Sequence, residues 1–250
     1  MSVIDGHAHL SPGKDSLNKL LSTMDECGIT HSIVVAGGLL SPEILSTNLA
    51  MGGGFNVDAN NEEVLQRCIE SKGRLIPFYF GNPYNRPDEY RYASSVFKGL
   101  KLAPGVHGIP FNDERMIDWI TAAEEKRHPV YLHCLSIPGF RVPEFVSMAK
   151  KFPNILWILG HAGVGNLDLY GIQQIRPYEN IFFETSGGFS YVLKYAIDQL
   201  GSQRVIFGSE YPLQHPLVEL TKYKVLNLPD SVLENVTRNN ICRVIGVDLA

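Results

Sequence analysis

The sequence predicts a single α/β domain, a (β/α)8 TIM barrel covering residues 1–250. Three observations carry that expectation. Eight β-rich runs alternate with helix-length segments along the whole chain. Several runs, such as Ile155-Leu156-Trp157-Ile158-Leu159, are almost continuously apolar, the pattern of parallel strands covered on both faces. A chain of 250 residues, 44% of them hydrophobic, can also bury one large core of this kind. An open doubly wound sheet is the competing architecture, but no Gly-x-Gly-x-x-Gly turn follows the first strand.

The expected strands are, in order, Val3–His9, Ser32–Ala36, Leu75–Gly81, Gly99–Ala103, Val130–Cys134, Ile155–His161, Ile181–Thr185 and Val205–Ser209. Between them lie amphipathic helices. Leu17, Leu20, Leu21 and Met24 recur at helical spacing, with Gly28 as the stop. Met116, Ile117, Ile120 and Ala123 repeat the pattern after an N-cap at Asn112 or Asp113, and Lys126 and Arg127 suit the last turn. Pro143 opens a helix carrying Val146, Ala149 and Phe152. Val192 to Gln199 form a weaker one ending at Gly201, and apolar residues from Val232 to Ile245 make the last. One stretch breaks the rhythm. Gly37 to Asp58 contains Gly37-Gly38 and Gly52-Gly53-Gly54 and reads as a long loop, either a substrate loop or lid or a passive insertion.

Composition excludes several function classes. The formal charge is −4, acids and bases are dispersed, and no basic block suggests nucleic acid. No apolar run approaches the ~18 residues a membrane helix needs. No basic-then-apolar leader opens the sequence, so no signal peptide is expected. Cys27, Cys68, Cys134 and Cys242 form no Cys-x-x-Cys pair, and reduced thiols in a cytoplasmic protein are the expectation. Cys134 follows His133 and should point to the opposite side of its strand.

The chemistry gathers at strand ends. In Asp5-Gly6-His7-Ala8-His9, alternation places both imidazoles on one face, where they can share a metal ion. His133 ends strand five, His161 ends strand six in Leu159-Gly160-His161-Ala162-Gly163, and Glu210 ends strand eight in Phe207-Gly208-Ser209-Glu210-Tyr211-Pro212. Lys101 lies in strand four, within Gly99-Leu100-Lys101-Leu102. A barrel presents strand C-termini at one face, where active sites sit. Four histidines and a carboxylate gather on that face, and three imidazoles with a carboxylate nearly fill a zinc ion's coordination sphere while leaving room for water or substrate.

These motifs, in this order, make the chain similar to the amidohydrolase superfamily, in its amidohydrolase-2 branch. The resemblance spans the whole chain. It implies a metal-dependent (β/α)8 barrel that hydrolyses amides, lactones or esters, or removes CO2 from small acids without oxidation. It also implies roles for matching residues: His7, His9 and His133 as metal ligands, His161 as an acid/base or substrate-polarising group, and Glu210 as ligand and proton carrier. The family most often has aspartate at the last position. The longer glutamate can adjust its rotamer to ligate, act past the metal as a base, or spoil the site.

Hydrolysis of a small-molecule amide, lactone or ester by a metal-activated water is therefore the first expectation, with Glu210 and His161 catalytic. Decarboxylation of a small aromatic or unsaturated acid is the alternative, and a non-catalytic binding barrel the third. One divalent ion is expected, zinc first, with manganese compatible. Lys101, Tyr211 and Arg141 are candidate contacts for a substrate that carries a carboxylate. Glu184 is a candidate support for His161 or Glu210. His107, His215, His31 and His128 read as loop or structural residues, and Tyr84 as a rim aromatic. A homodimer is the working assumption for the oligomeric state.

Overall fold

The computed structural model describes residues 2–249. Its strands are β1 (Val3–Leu10), β2 (Ile29–Ala36), β3 (Leu75–Pro77), β4 (Tyr79–Phe80), β5 (Leu100–Leu102), β6 (Val130–Leu132), β7 (Trp157–Leu159), β8 (Ile181–Glu184) and β9 (Val205–Ile206). Every pairing is parallel, and the strands neighbour one another in chain order as β1-β2-β3 and β4 to β9. β3 and β4 are one strand interrupted at Phe78. The Phe78 N–H turns to Val34 O of β2, while the Tyr79 N–H turns to Gly99 O beside β5. That handover makes eight strand positions of nine segments.

The ring closes between the first and last strands. Gly6 N–H donates to Phe207 O at 2.9 Å and His9 N–H to Tyr211 O at 2.7 Å, and Ala8 bridges Tyr211. β9 is shorter than the expected Val205–Ser209 because residues beyond Ile206 leave β8 and bond to β1 instead. Here Asp5 acts as the fastener. Its buried carboxylate accepts from Ser209 N–H at 2.9 Å, from the Ser209 hydroxyl, and from His7 N–H at 3.1 Å.

Alternation sorts the strand residues into two layers. Ile4, Ile33, Ile76, Tyr131, Ile158, Phe182 and Ile206 fill the interior, and Ile241, Val244 and Ile245 of the C-terminal helix pack against the same cluster. Ala8, Val34, Leu100, Leu132, Trp157 and Phe183 face outward onto the helices. Those helices form as their stripes demand. Ser16–Cys27 buries Leu17, Leu20 and Met24 and ends on left-handed Gly28. Glu114–Lys126 is capped by Asp113, whose side chain accepts from Arg115 N–H; Arg127 lies just past the last turn, in a left-handed C-cap. Val142–Lys151 carries its proline in the first turn, and Ser190–Leu200 runs to Gly201. Asp230 to Ile245 is continuous through a π-helical stretch at Asn235–Asn239.

The Gly37–Asp58 stretch is not a loop throughout. It contains the helix Pro42–Met51, capped by Ser41, whose only buried residue is Asn48. Without a buried apolar stripe it has no amphipathic signature. Pro216–Val225 is similarly hard to foresee, because a charged residue, Glu219, occupies its buried face. Among the described residues, no helix is long and apolar enough to cross a membrane.

Asp5→Ala should leave two backbone N–H groups and a hydroxyl without their acceptor. The expected loss is on the order of 2–4 kcal/mol, lowering the thermal midpoint by about 5–15 °C. Asp5→Asn, which keeps one acceptor oxygen, should lose less than half as much. An unchanged midpoint in Asp5→Ala would remove Asp5 from the closure.

Candidate metal centre

The site is assembled at the C-terminal mouth of the barrel. Ala8 points outward, so His7 and His9 share the inner face of β1. Glu210 arrives from the segment that closes the ring, its N–H on His7 O at 3.0 Å. Its carboxylate is the hub. Oε2 lies 3.1 Å from His7 Nε2 and 3.1 Å from His161 Nδ1, and Oε1 lies 3.3 Å from His9 Nε2.

Two parts of this arrangement hold strained backbone. His161, Ala162 and Glu210 have φ of +56°, +55° and +62°, the left-handed region that costs an ordinary L-residue about 1–2 kcal/mol. Glu184 offsets that cost at the first two. Its carbonyl accepts Ala162 N–H at 2.9 Å and its carboxylate accepts His161 N–H at 3.0 Å. The same fully buried carboxylate accepts the Tyr131 hydroxyl at 2.7 Å, Ser186 N–H at 2.6 Å and the Ser186 hydroxyl at 2.9 Å. With its proton committed there, the Ser186 oxygen is left to accept from His161 Nδ1, 3.1 Å away.

The ring tautomers follow from these partners. His9 Nδ1–H donates to Ala36 O at 3.1 Å, so in the neutral ring Nε2 presents a lone pair to Glu210. A lone pair facing a carboxylate oxygen is repulsive unless a cation lies between them. His7 Nε2 and Glu210 Oε2 are both buried and without a hydrogen-bond partner, although they face each other. His133 Nε2 accepts Gly105 N–H at 2.9 Å, leaving Nδ1 buried and unpartnered. Metal–nitrogen bonds of ~2.0–2.1 Å require ligand atoms about 3.0–3.4 Å apart. The Glu210 contacts of 3.1 Å to His7 and 3.3 Å to His9 match that spacing. Donor atoms of His7, His161 and Glu210 lie within 4.8 Å of one another. The residues therefore fit a divalent ion with nitrogen and oxygen ligands.

Below the histidines lies a stack that sequence reasoning did not single out. Tyr131 lies against His7 with ring centroids 4.0 Å apart, and Lys101 Nζ sits 3.8 Å from the Tyr131 centroid. Two groups that close must take opposite faces of the ring. Lys101 is buried, its ammonium has no hydrogen-bond partner, and burial lowers it to about 7. Burial, then the nearby Lys101 charge, holds His7 and His133 well below the ordinary imidazole range. Burial alone would raise the Glu210 carboxyl, but the positive charge of the His161, His9 and His7 rings, when they are protonated, holds it well below the usual carboxylate range. Burial also pushes Asp5 up to about 7 against the pull of its Ser209 donors.

Not every expected residue comes to the site. Lys101 lies beneath the histidines and lines neither chamber described below. The Tyr211 ring packs on the outward apolar layer, and its backbone serves instead, accepting from His9 and donating to Ser209 Oγ at 3.1 Å. The Arg141 guanidinium is half-exposed and paired with Glu144, one turn along its own helix. His107 donates from Nε2 to Val57 O, and His215 Nδ1 caps the helix Pro216–Val225. His128 Nδ1 meets the Tyr90 hydroxyl and His31 Nδ1 the Thr30 hydroxyl. Asp5, Tyr131 and Ser186 are the residues missed. The only trace of Asp5 was its place beside the histidine pair, and nothing in the sequence marked Tyr131.

A chamber of about 540 Å3 opens over the cluster, bordered by His133, His161, Ser186 and Glu210 on one side and by Leu45 and Leu49 on the other. The two leucines come from the helix Pro42–Met51, so the glycine-flanked stretch roofs the site.

Residues 4–247 match the sequence pattern of the family described as Amidohydrolase. The chain belongs to that family. Solved structures agree on the fold. A 5-carboxyvanillate decarboxylase from Novosphingobium aromaticivorans, with bound manganese and 3-methoxy-4-hydroxy-5-nitrobenzoic acid, superposes with a TM-score of 0.72 at 14% identity, covering 98% of this chain and 97% of that one. A 2,6-dihydroxybenzoate decarboxylase from Rhizobium gives 0.71 at 15% identity, covering 98% and 99%. A probable 2-pyrone-4,6-dicarboxylic acid hydrolase from Acinetobacter baumannii gives 0.71 at 15%, covering 98% and 100%. A comparison with curated proteins finds no match. As in these structures, the amidohydrolase chain is a (β/α)8 barrel.

The depressed Lys101 gives a stability signature. Because its folded value lies near 7, below its ordinary 10.5, its contribution is complete above pH 10.5 and is lost as pH falls through 7. Lys101→Met removes that dependence. Relative to the variant, the native chain should lose at least about 3 °C of thermal midpoint between pH 9 and pH 6. Midpoints that move in parallel would show that Lys101 keeps its charge on folding.

Proposed function

We propose that this chain is a metal-dependent enzyme acting on a small carboxylate-bearing molecule, and that it removes CO2 from a small aromatic or unsaturated acid. The observation that carries this reading is the chamber's charge pattern. No lysine or arginine borders it, so a substrate carboxylate finds no cationic side chain there. A cation at the histidine–glutamate cluster is the counter-charge the site can offer. Leu45, Leu49, Leu135 and Val164 suit a flat apolar ring. The manganese and the nitrobenzoic acid carried by the Novosphingobium decarboxylase support the same assignment.

His7 Nε2, His9 Nε2, His133 Nδ1 and Glu210 would hold the ion. These are the nitrogen and oxygen atoms left without a hydrogen-bond partner, together with the His9 nitrogen whose lone pair faces Glu210. A divalent ion bound there supplies Lewis-acid polarisation of the substrate oxygens. Its identity, zinc or manganese, is open to the same donor set. His161 is left for the proton, since its Nδ1 is already served by the Ser186 hydroxyl oxygen. It delivers a proton to the carbon bearing the carboxylate, as Ser186 orients its ring. The bond to the carboxyl carbon then breaks, its electron pair stays with the substrate skeleton, and CO2 leaves.

Hydrolysis, the first expectation from sequence, remains the second reading. Glu210 is ionised and positioned to accept a proton from water, and the Acinetobacter hydrolase shares the fold equally well. The two readings part in heavy-oxygen water. A decarboxylase releases CO2 and puts no label in the other product, whereas a hydrolase incorporates one labelled oxygen. Metal-loaded protein that turns over neither acids nor lactones and amides would leave a binding barrel.

Elemental mass spectrometry of the purified protein should find about one equivalent of divalent transition metal. The His7→Ala/His9→Ala variant should retain less than about a tenth of it. Protein that takes up no zinc or manganese would refute the site. Glu210→Gln and His161→Ala should each lower turnover by at least about 100-fold, and wild-type turnover in both would refute their roles.

A further inference from the structure

The chamber over the cluster has a neighbour. His9 and Glu210 also border a second cavity of about 300 Å3, on the β1–β2 side of the mouth. Apart from those two and Ser11, no polar side chain reaches it. Its walls are Leu39 and Leu40 after β2, Phe80 at the end of β4, and Val106. Leu45 and Leu213 border both cavities, and Glu210 is where they meet. A molecule held at the cluster from the main chamber therefore has a second, almost wholly apolar space within reach of the same carboxylate.

We propose that this second cavity is a subsite for an apolar substituent of the substrate, a ring or branched alkyl group carried by the acid, with Leu45 and Leu213 as the partition. The inference rests on the reading above that the acid group is held at the histidine–glutamate cluster. Size permits it, since about 300 Å3 is the lower end of small-molecule sites. Chemistry selects for it. A hydroxyl or carboxyl placed between Leu40, Phe80 and Val106 would give up its water without a replacement partner. The partition is also movable. Leu45 rides on a helix whose only buried residue is Asn48, between Gly37-Gly38 and Gly52-Gly53-Gly54, and Leu213 is largely exposed.

The test is calorimetric titration of the manganese-loaded protein with benzoate and with 3- and 4-phenylbenzoate. At least one phenylbenzoate should bind at least tenfold tighter than benzoate. Val106→Phe and, separately, Leu40→Trp fill the cavity. Each should abolish that gain while leaving benzoate affinity within twofold. Should Val106→Phe fail to fold, Leu40→Trp, at a partly buried position, carries the comparison. Benzoate binding with no gain from either phenylbenzoate, or a gain that survives both filling variants, overturns the subsite and leaves the acid-binding reading standing. If none of the three acids binds, that reading falls and the subsite with it.

Discussion

An imidazole lone pair and a carboxylate oxygen repel, yet Glu210 stands 3.3 Å from the lone pair of His9 and 3.1 Å from the unpartnered nitrogen of His7. Much of the upper barrel serves to hold that confrontation. The closing hydrogen bonds between β1 and the segment after β9 fix the two sides of it. Asp5 locks the segment one residue before Glu210, and the backbone of Glu210 accepts a left-handed conformation to aim the side chain inward. Strain, buried charge and facing acceptors each destabilise an empty site. A divalent ion relieves the last two at once, which makes binding it a source of stability as well as chemistry.

The second tier works by removing freedom. Glu184 accepts from four donors and so ties the end of β7, the turn after β8 and the middle of β6 into one unit. Tyr131, fixed by its hydroxyl on Glu184, stacks on His7 and limits how that ring can turn. Lys101 presses on the same aromatic ring. Ser186 passes the restraint to His161 by receiving its Nδ1 proton. The two imidazoles that border the chamber are thus each held by a hydrogen bond, His161 by Ser186 and His133 by the Gly105 N–H. Catalytic geometry depends on such pre-set orientation, because a reacting group free to rotate spends most of its time misaimed.

This tiering explains what could be read in the sequence. The strands were legible because interior and exterior layers are both apolar, which leaves runs such as Ile155–Leu159 with no polar residue. His7, His9, His133, His161 and Glu210 were legible because they interrupt or end such runs. The Tyr211 ring lies on the outward layer for a local reason. Glu210 adopts φ of +62°, which breaks the alternation that strand reasoning extrapolates, and Tyr211 pairs with outward-facing Ala8. Arg141 is placed differently: it is half-exposed and pairs with Glu144 on its own helix. The helix Pro42–Met51 was hidden because its leucines face an open chamber, where burial leaves no stripe against a neighbouring element. Glu184 was legible from its place at the end of a strand, whereas Asp5 acts largely through backbone N–H groups, and those donors carry no mark in a sequence.

The glutamate that departs from the family's usual aspartate finds its justification in the same geometry. Its two oxygens divide the work, Oε1 toward His9 and Oε2 toward His7 and His161. An aspartate on this backbone would end one carbon–carbon bond short, about 1.5 Å. Contacts of 3.1–3.3 Å leave no such slack, so the shorter side chain could not keep all three histidines without moving the chain. The chain is held at that point by His7 O, which accepts the Glu210 N–H at 3.0 Å, and by the Asp5–Ser209 fastener beside it. The longer residue and its backbone position are therefore matched to one another. The extra methylene takes up the distance between the closing segment and the histidines.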